Sequence, residues 1–151
     1  MIIDEVFQAF GEGAFVFGPF WDNVLGYWEA SLNNPRRFMF LQYEDLIKDI
    51  NSAVKKIAEF LGCGFMEEEE NEGLVEEIAK LCSLQNLKNL ECNKNGETET
   101  HGHKSKHSSY FRKGKVGGWV DFLSPDMAER LQSLMQDKLA GSSLTMKIQG
   151  S

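Results

Sequence analysis

One continuous apolar run, Phe38-Met39-Phe40-Leu41, constrains the fold more than any other stretch of this chain. Four consecutive apolar residues leave no room for helical amphipathicity. The run predicts a strand buried on both faces, as in a parallel sheet covered by helices. Such a strand would cover about residues 38–43 and end at Tyr43-Glu44-Asp45, and open α/β sheets place ligands at the carboxyl ends of their strands. A parallel strand needs neighbours, and no second run matches this one. Either the chain is mostly helical, or the other strands lie outside this sequence.

The flanking segments read as helices. "IDEVFQAF" predicts a short helix stopped by Gly11 and Gly13. Trp21, Val24, Leu25, Trp28 and Leu32 fall on one face of a second helix, with Pro19 suited to its first turn and Pro35 ending it. Asp49 or Asn51 caps a third, in which Val54, Ile57, Ala58 and Leu61 face inward and Gly62 is the stop. The Glu67–Glu70 run suits a helix N-terminus better than a metal site. After it, Leu74, Val75, Ile78 and Leu81 form an inward face. The clearest helix follows Ser124 as cap and Pro125 as first residue, with Met127, Leu131 and Leu134 inside and Gly141 beyond its end.

A chain of 151 residues suffices for one domain burying about 70% of its unfolded surface. A net charge of −7 and a pI near 5.0 argue against a general nucleic-acid or anionic-membrane binder, so any anion site must be local. Cys63, Cys82 and Cys92 are odd in number and lack CxxC spacing, which predicts reduced thiols. No apolar run approaches the roughly 20 residues that span a bilayer. The opening residues carry acids where a signal peptide carries basic residues. A cytoplasmic location is expected.

Periodicity vanishes from Leu90 to Gly118, with no apolar residue between Cys92 and Tyr110. The stretch is locally basic: Lys94, Lys104, Lys106, Arg112, Lys113 and Lys115 against Glu97 and Glu99. His101, His103 and His107 invite a metal reading, but the lysines around them would repel a cation, and a solvated loop fits better. Arg112-Lys113-Gly114 joins a planar fork and a mobile point charge to a residue that lets backbone approach an anion. Alone, the triplet reads as a solvated turn. No glycine loop of phosphate-binding type is present.

Taken in order, "FGPFWDNVLGYWEAS", "FLQYEDLIKD", "KKIAEFLGC", "EEIAKLCSLQNLKNLECNK", "FRKGKVGGW" and "LSPDMAERLQSLMQDKL" resemble the C-terminal half of cytosolic sulfotransferases of the plant flavonol and brassinosteroid type. The resemblance implies an α/β, P-loop nucleotide-kinase-like fold, of which residues 1–151 are the C-terminal part of a single domain and 91–118 a long cofactor-binding loop. It implies transfer of a sulfonate from 3′-phosphoadenosine 5′-phosphosulfate to a small-molecule hydroxyl such as that of a flavonoid or steroid. No metal, nucleic acid or membrane is implied. Arg112, Lys113 and Gly114 match the residues that bind the 3′-phosphate in that family. Tyr43, Cys82 and Leu84 match positions near the adenine, and Phe111 matches another cofactor-lining position.

The chain departs from the family at Leu84, where phenylalanine is usual, at Gly118, where aspartate is, and at Val120, where a lysine opens the family's dimerisation motif. The 5′-phosphosulfate loop and the catalytic histidine of the family precede the matched region, so no catalytic residue is assigned, and His101, His103 and His107 do not inherit that role. A truncated chain, inactive alone, is the expectation. The rival readings are a non-catalytic remnant that pairs with full-length relatives through exposed apolar surface, and a polyanion-binding loop over Lys94–Lys115.

Overall fold

A computed structural model describes residues 3–14, 18–100 and 102–146. The chain forms two compact units, one from Met1–Phe40 with Lys115–Ser151 and the other from Leu41–Gly114.

In the first unit, α1 (Ile3–Gly11), α2 (Phe20–Asn33) and α9 (Pro125–Lys138) carry the core. Met135, Leu139 and Leu144 are buried, and Val24, Leu25, Trp28, Phe40 and Leu131 pack on them. The Trp21–Leu32 face is therefore apolar for the reason its spacing suggests, except that Leu32 stays 57% exposed at the helix end. Trp28 meets Phe40 edge-on at 5.2 Å and donates through Nε1 to Ser143 Oγ at 3.3 Å. Pro19 is the N-cap of α2, just ahead of its first turn. In α9 the Ser124 hydroxyl accepts from Met127 N at 3.2 Å. Arg130 stacks over Phe7, and Lys138 over Trp21, so these cations cover aromatic faces with their stems.

The second unit contains α3 (Tyr43–Lys48), α4 (Ile50–Phe60), α5 (Glu67–Asn71), α6 (Leu74–Leu81), α7 (Leu84–Asn89) and α8 (Glu91–Asn95). Two strands, β1 (Glu97–Thr100) and β2 (His103–Lys106), follow, and then a 3-10 turn, His107–Tyr110. α4 packs on α6, α6 on α7, and α7 on α8. Val75 is the buried centre of that stack at 1% exposure. Asn51 bridges to Glu76 at 2.9 Å, and Lys55 to Glu70 at 2.5 Å.

Three expectations are corrected. Residues 38–43 form no strand. Phe38 and Leu41 are 42% and 41% exposed, Tyr43 begins a helix, and β1–β2 is the only sheet among the described residues. A strand exists through the backbone hydrogen bonds of its neighbours, and no described segment pairs with this one. The inward faces assigned to α4 and α6 are shorter than expected, since Leu61 and Leu81 are 68% and 62% exposed. The region 91–118 is not structureless, because α8, the hairpin and the 3-10 turn His107–Tyr110 fill most of residues 91–110. No helix among the described residues is long and apolar enough to cross a membrane.

Asp49 caps α4, its carboxylate accepting from Ser52 N at 3.0 Å and Ser52 Oγ at 2.6 Å. The Ser52 hydroxyl, then the Ser52 amide, then Lys56 and Lys55 hold its carboxyl below the ordinary value. A depressed carboxyl contributes stability above its unfolded value, and that stability is lost as pH falls through the folded value. Asp49→Ala is expected to lower the thermal midpoint at neutral pH. The gap to the parent chain should close in strong acid, as followed by circular dichroism.

Candidate functional site

The basic triplet is held at the end of a continuous scaffold within the second unit. Gly73 opens α6 with φ +80, and Cys82 closes it, its amide reaching Ile78 O at 3.0 Å. The next residue, Ser83, caps α7 by accepting from Asn86 N at 3.2 Å. Asn86 also donates back to Leu81 O at 2.7 Å, which fixes the corner carrying Cys82 and Leu84. Asn93 then ties α8 to α7 through Leu87 O at 2.8 Å.

After α8 the chain turns into the hairpin. Its register sets Glu97 opposite Lys106 and Glu99 opposite Lys104, with Gly102 in the turn at φ +79. Opposite charges directly across strands stabilise the pair. Two of the six basic residues of this stretch, Lys104 and Lys106, thus face acids across the hairpin.

The 3-10 turn His107–Tyr110 ends at Phe111, whose amide reaches Ser108 O at 3.2 Å. Phe111 is half-buried, while Arg112 and Lys113 stand exposed beyond it. Gly114 follows at φ +59, a left-handed conformation, and a Cβ there would overlap the Leu84 side chain. Close packing between Leu84 and Gly114 therefore brings two distant matched segments together. Cys82 lies two residues from that contact. Tyr43 is 46% exposed at the first position of α3, and no described contact brings it to Leu84 or Gly114.

The histidines divide. His103 is exposed on β2, and His101 lies outside the described residues. His107 departs from the solvated-loop reading: its ring is half-buried and both nitrogens are engaged, with Thr98 Oγ1 at 2.7 Å and Cys92 O at 2.8 Å. Among the described residues no group of three or more His, Cys, Asp or Glu is placed to hold a metal. Gly118 opens a 3-10 turn with no atom within 4 Å of where a Cβ would stand, so aspartate would fit there too. Val120 in the same turn is 50% exposed.

A separate groove of roughly 1000 Å³ lies in the first unit, lined by Phe7, Phe10, Leu131 and Leu134 with Glu12, Asp126, Glu129 and Asp137. Its carboxylates outnumber Arg130, and like charge would repel an anionic ligand. The exposed Arg112-Lys113 pair suits an anion better.

The sulfotransferase domain family matches residues 1–143. Cytosolic sulfotransferase 14 of Arabidopsis thaliana is 47% identical over 149 residues, covering 98% of this chain and 42% of its own length. Flavonol 4′-sulfotransferase of Flaveria chlorifolia is 45% identical over 144 residues, covering 95% of this chain and 45% of its own. Among solved structures, mouse sulfotransferase SULT7A1 complexed with PAP superimposes with a TM-score of 0.72 at 25% identity, covering 94% of this chain and 48% of that one. A putative steroid sulphotransferase of Arabidopsis thaliana gives a TM-score of 0.64 at 37% identity, covering 95% and 38%. The chain thus spans less than half the length of each of these relatives.

Proposed function

Because the chain belongs to the sulfotransferase domain family, we propose that it forms the 3′-phosphate and adenine side of a site for 3′-phosphoadenosine 5′-phosphosulfate. The packing of Gly114 on Leu84 carries this reading, because it joins the basic triplet to the α6–α7 corner. Arg112 offers a guanidinium fork, Lys113 a second cation, and Gly114 a backbone that brings no side chain against the phosphate. Leu84, Cys82, Phe111 and Tyr43 supply the apolar and polarizable flank for the purine, and the leucine gives up the stacking an aromatic ring would add.

The donor, when bound, supplies the sulfonate that passes to an acceptor hydroxyl. The flavonol and steroid names of the relatives support a small-molecule acceptor of that kind, and their cytosolic names support a cytoplasmic location. This chain carries no assigned general base, so the 151 residues alone are expected to bind without turning over.

Calorimetric titration with 3′-phosphoadenosine 5′-phosphate and, separately, adenosine 5′-phosphate tests the reading. A hydrogen bond to a charged group contributes about 1.5–3 kcal/mol, so the bisphosphate is expected to bind about 10- to 150-fold more tightly. Equal affinities, or none, would overturn the site assignment. Labelled sulfonate appearing on a flavonol would overturn the expected inactivity.

A second reading rests on a different observation. Leu41, Tyr43, Ile47 and Ile50, all within ten residues of one unit, are 41–51% exposed. An apolar stretch of this kind suits a non-catalytic module that pairs with full-length relatives. Sedimentation of the same sample showing a monomer, with or without an added relative, would remove it.

A further inference from the structure

We propose that His107 is a positioning residue for the Arg112-Lys113-Gly114 segment, buckling α8, β1 and the 3-10 turn into one piece. The role in phosphate binding rests on the function proposed above; the buckle itself does not.

Three contacts converge on this residue. Its Nδ1 lies 2.8 Å from Cys92 O at α8. A carbonyl can only accept, so Nδ1 carries a proton; in the neutral ring Nε2 then accepts from the Thr98 hydroxyl on β1, 2.7 Å away. The backbone amide of His107 donates to Gly96 O at 2.9 Å, and Gly96 N in turn donates to Cys92 O at 3.0 Å. One imidazole thus spans partners fifteen and nine residues away, immediately before the turn that ends at Phe111. Ser109 Oγ adds a bond to Lys106 O at 2.7 Å within the same turn.

Gly96 shows how closely the ring is seated. A Cβ at that position would overlap both the Cys92 carbonyl oxygen and the His107 ring. The absence of a side chain at Gly96 makes room for the imidazole. Both ring nitrogens are used internally, so the residue acts on the loop and not on a ligand. Without the ring, the end of α8 and the start of the turn would be joined chiefly by the Gly96–His107 backbone bond, and the basic segment beyond them would open more often. Local opening of this sort is read directly by proteolysis when reclosing is fast.

Trypsin cleaves after Arg112 and Lys113, which makes the segment its own reporter. In the 151-residue chain, His107→Ala is expected to speed cleavage there about tenfold, from the loss of two hydrogen bonds. Cleavage at Lys80 and Arg130 should be unchanged. His107→Asn, whose amide nitrogen can replace Nδ1 toward Cys92 O, should restore much of the protection. Thr98→Val removes only the Nε2 partner and should give a smaller acceleration, about threefold; it keeps the test decisive should the alanine variant not fold.

Unchanged cleavage after Arg112 and Lys113 in the folded variants, or equal acceleration at all four sites, would overturn the buckle. The affinity ratio of 3′-phosphoadenosine 5′-phosphate to adenosine 5′-phosphate supplies the second readout. The ratio should fall in His107→Ala and recover in His107→Asn, while adenosine 5′-phosphate binding stays constant. A parent chain that shows no preference for the bisphosphate overturns the proposed function alone, since the proteolysis result still decides the buckle. A preference that survives His107→Ala intact overturns the positioning role in phosphate binding.

Discussion

Gly114→Val is expected to weaken binding of 3′-phosphoadenosine 5′-phosphate by roughly 100-fold, more than any other single change outside the two cations. Two separate penalties act there. The backbone sits at φ +59, a region costing an L-residue about 1–2 kcal/mol and a β-branched one more. The new side chain would also overlap Leu84. The two can be separated, because the clashing atoms belong to a leucine that is 37% exposed and free to be shortened. Gly114→Ala should lose about 10- to 30-fold, and in the double variant, compared with Leu84→Ala alone because that change also trims the purine flank, only the conformational part of the loss should remain. Calorimetry on the four members of that cycle checks it. Additive effects would mean that Leu84 and Gly114 do not pack on one another.

The parts of this fold that were legible in the sequence are those fixed by neighbours in the chain. Ser124, Pro125 and Gly141 bracket α9 because capping and termination act over one turn, and the Ser124 hydroxyl does accept from Met127 N. The Trp21–Trp28 part of the second helix's stripe held for the same reason over two turns, while Leu32 at its end is exposed. Phe38–Leu41 failed because an apolar run reports a tendency to be buried and says nothing of what covers it. A strand also needs hydrogen-bonded partners, and none of the described segments supplies them.

The hairpin went unseen for the opposite reason. Glu97–Lys106 is polar on both faces, so it carries no burial signal. The signals that could have found it are Thr98 and Thr100 at alternate positions, a glycine in the turn, and charges of opposite sign set across from one another. His107 was harder still. Its partners lie at Thr98 and Cys92, and nothing local distinguishes it from His103, which stands exposed in the adjoining strand. The motif Arg112-Lys113-Gly114 was visible at once, yet its bland and sharp readings could be told apart only by order along the chain. The contact of Gly114 with Leu84 adds a spatial reason that periodicity could not supply.

Arg112→Ala is expected to cost about 10- to 150-fold in affinity for the 3′,5′-bisphosphate and almost nothing for adenosine 5′-phosphate. A guanidinium meets a phosphate through two parallel N–H donors, whereas an ammonium meets it as a point charge. Arg112→Lys should therefore fall between the parent and the alanine variant, keeping the charge and losing the fork. Lys113→Ala should cost less than Arg112→Ala, because a mobile, strongly hydrated ammonium gains less from a single contact. Salt separates the two contributions further. Raising ionic strength should erode the bisphosphate preference of Arg112→Lys faster than that of the parent, since an exposed point charge is screened more completely than a bidentate pair. Titrations at low and moderate salt would check both the order and the slope. If Arg112→Ala instead weakened both nucleotides equally, the guanidinium would be supporting the loop and not holding the 3′-phosphate.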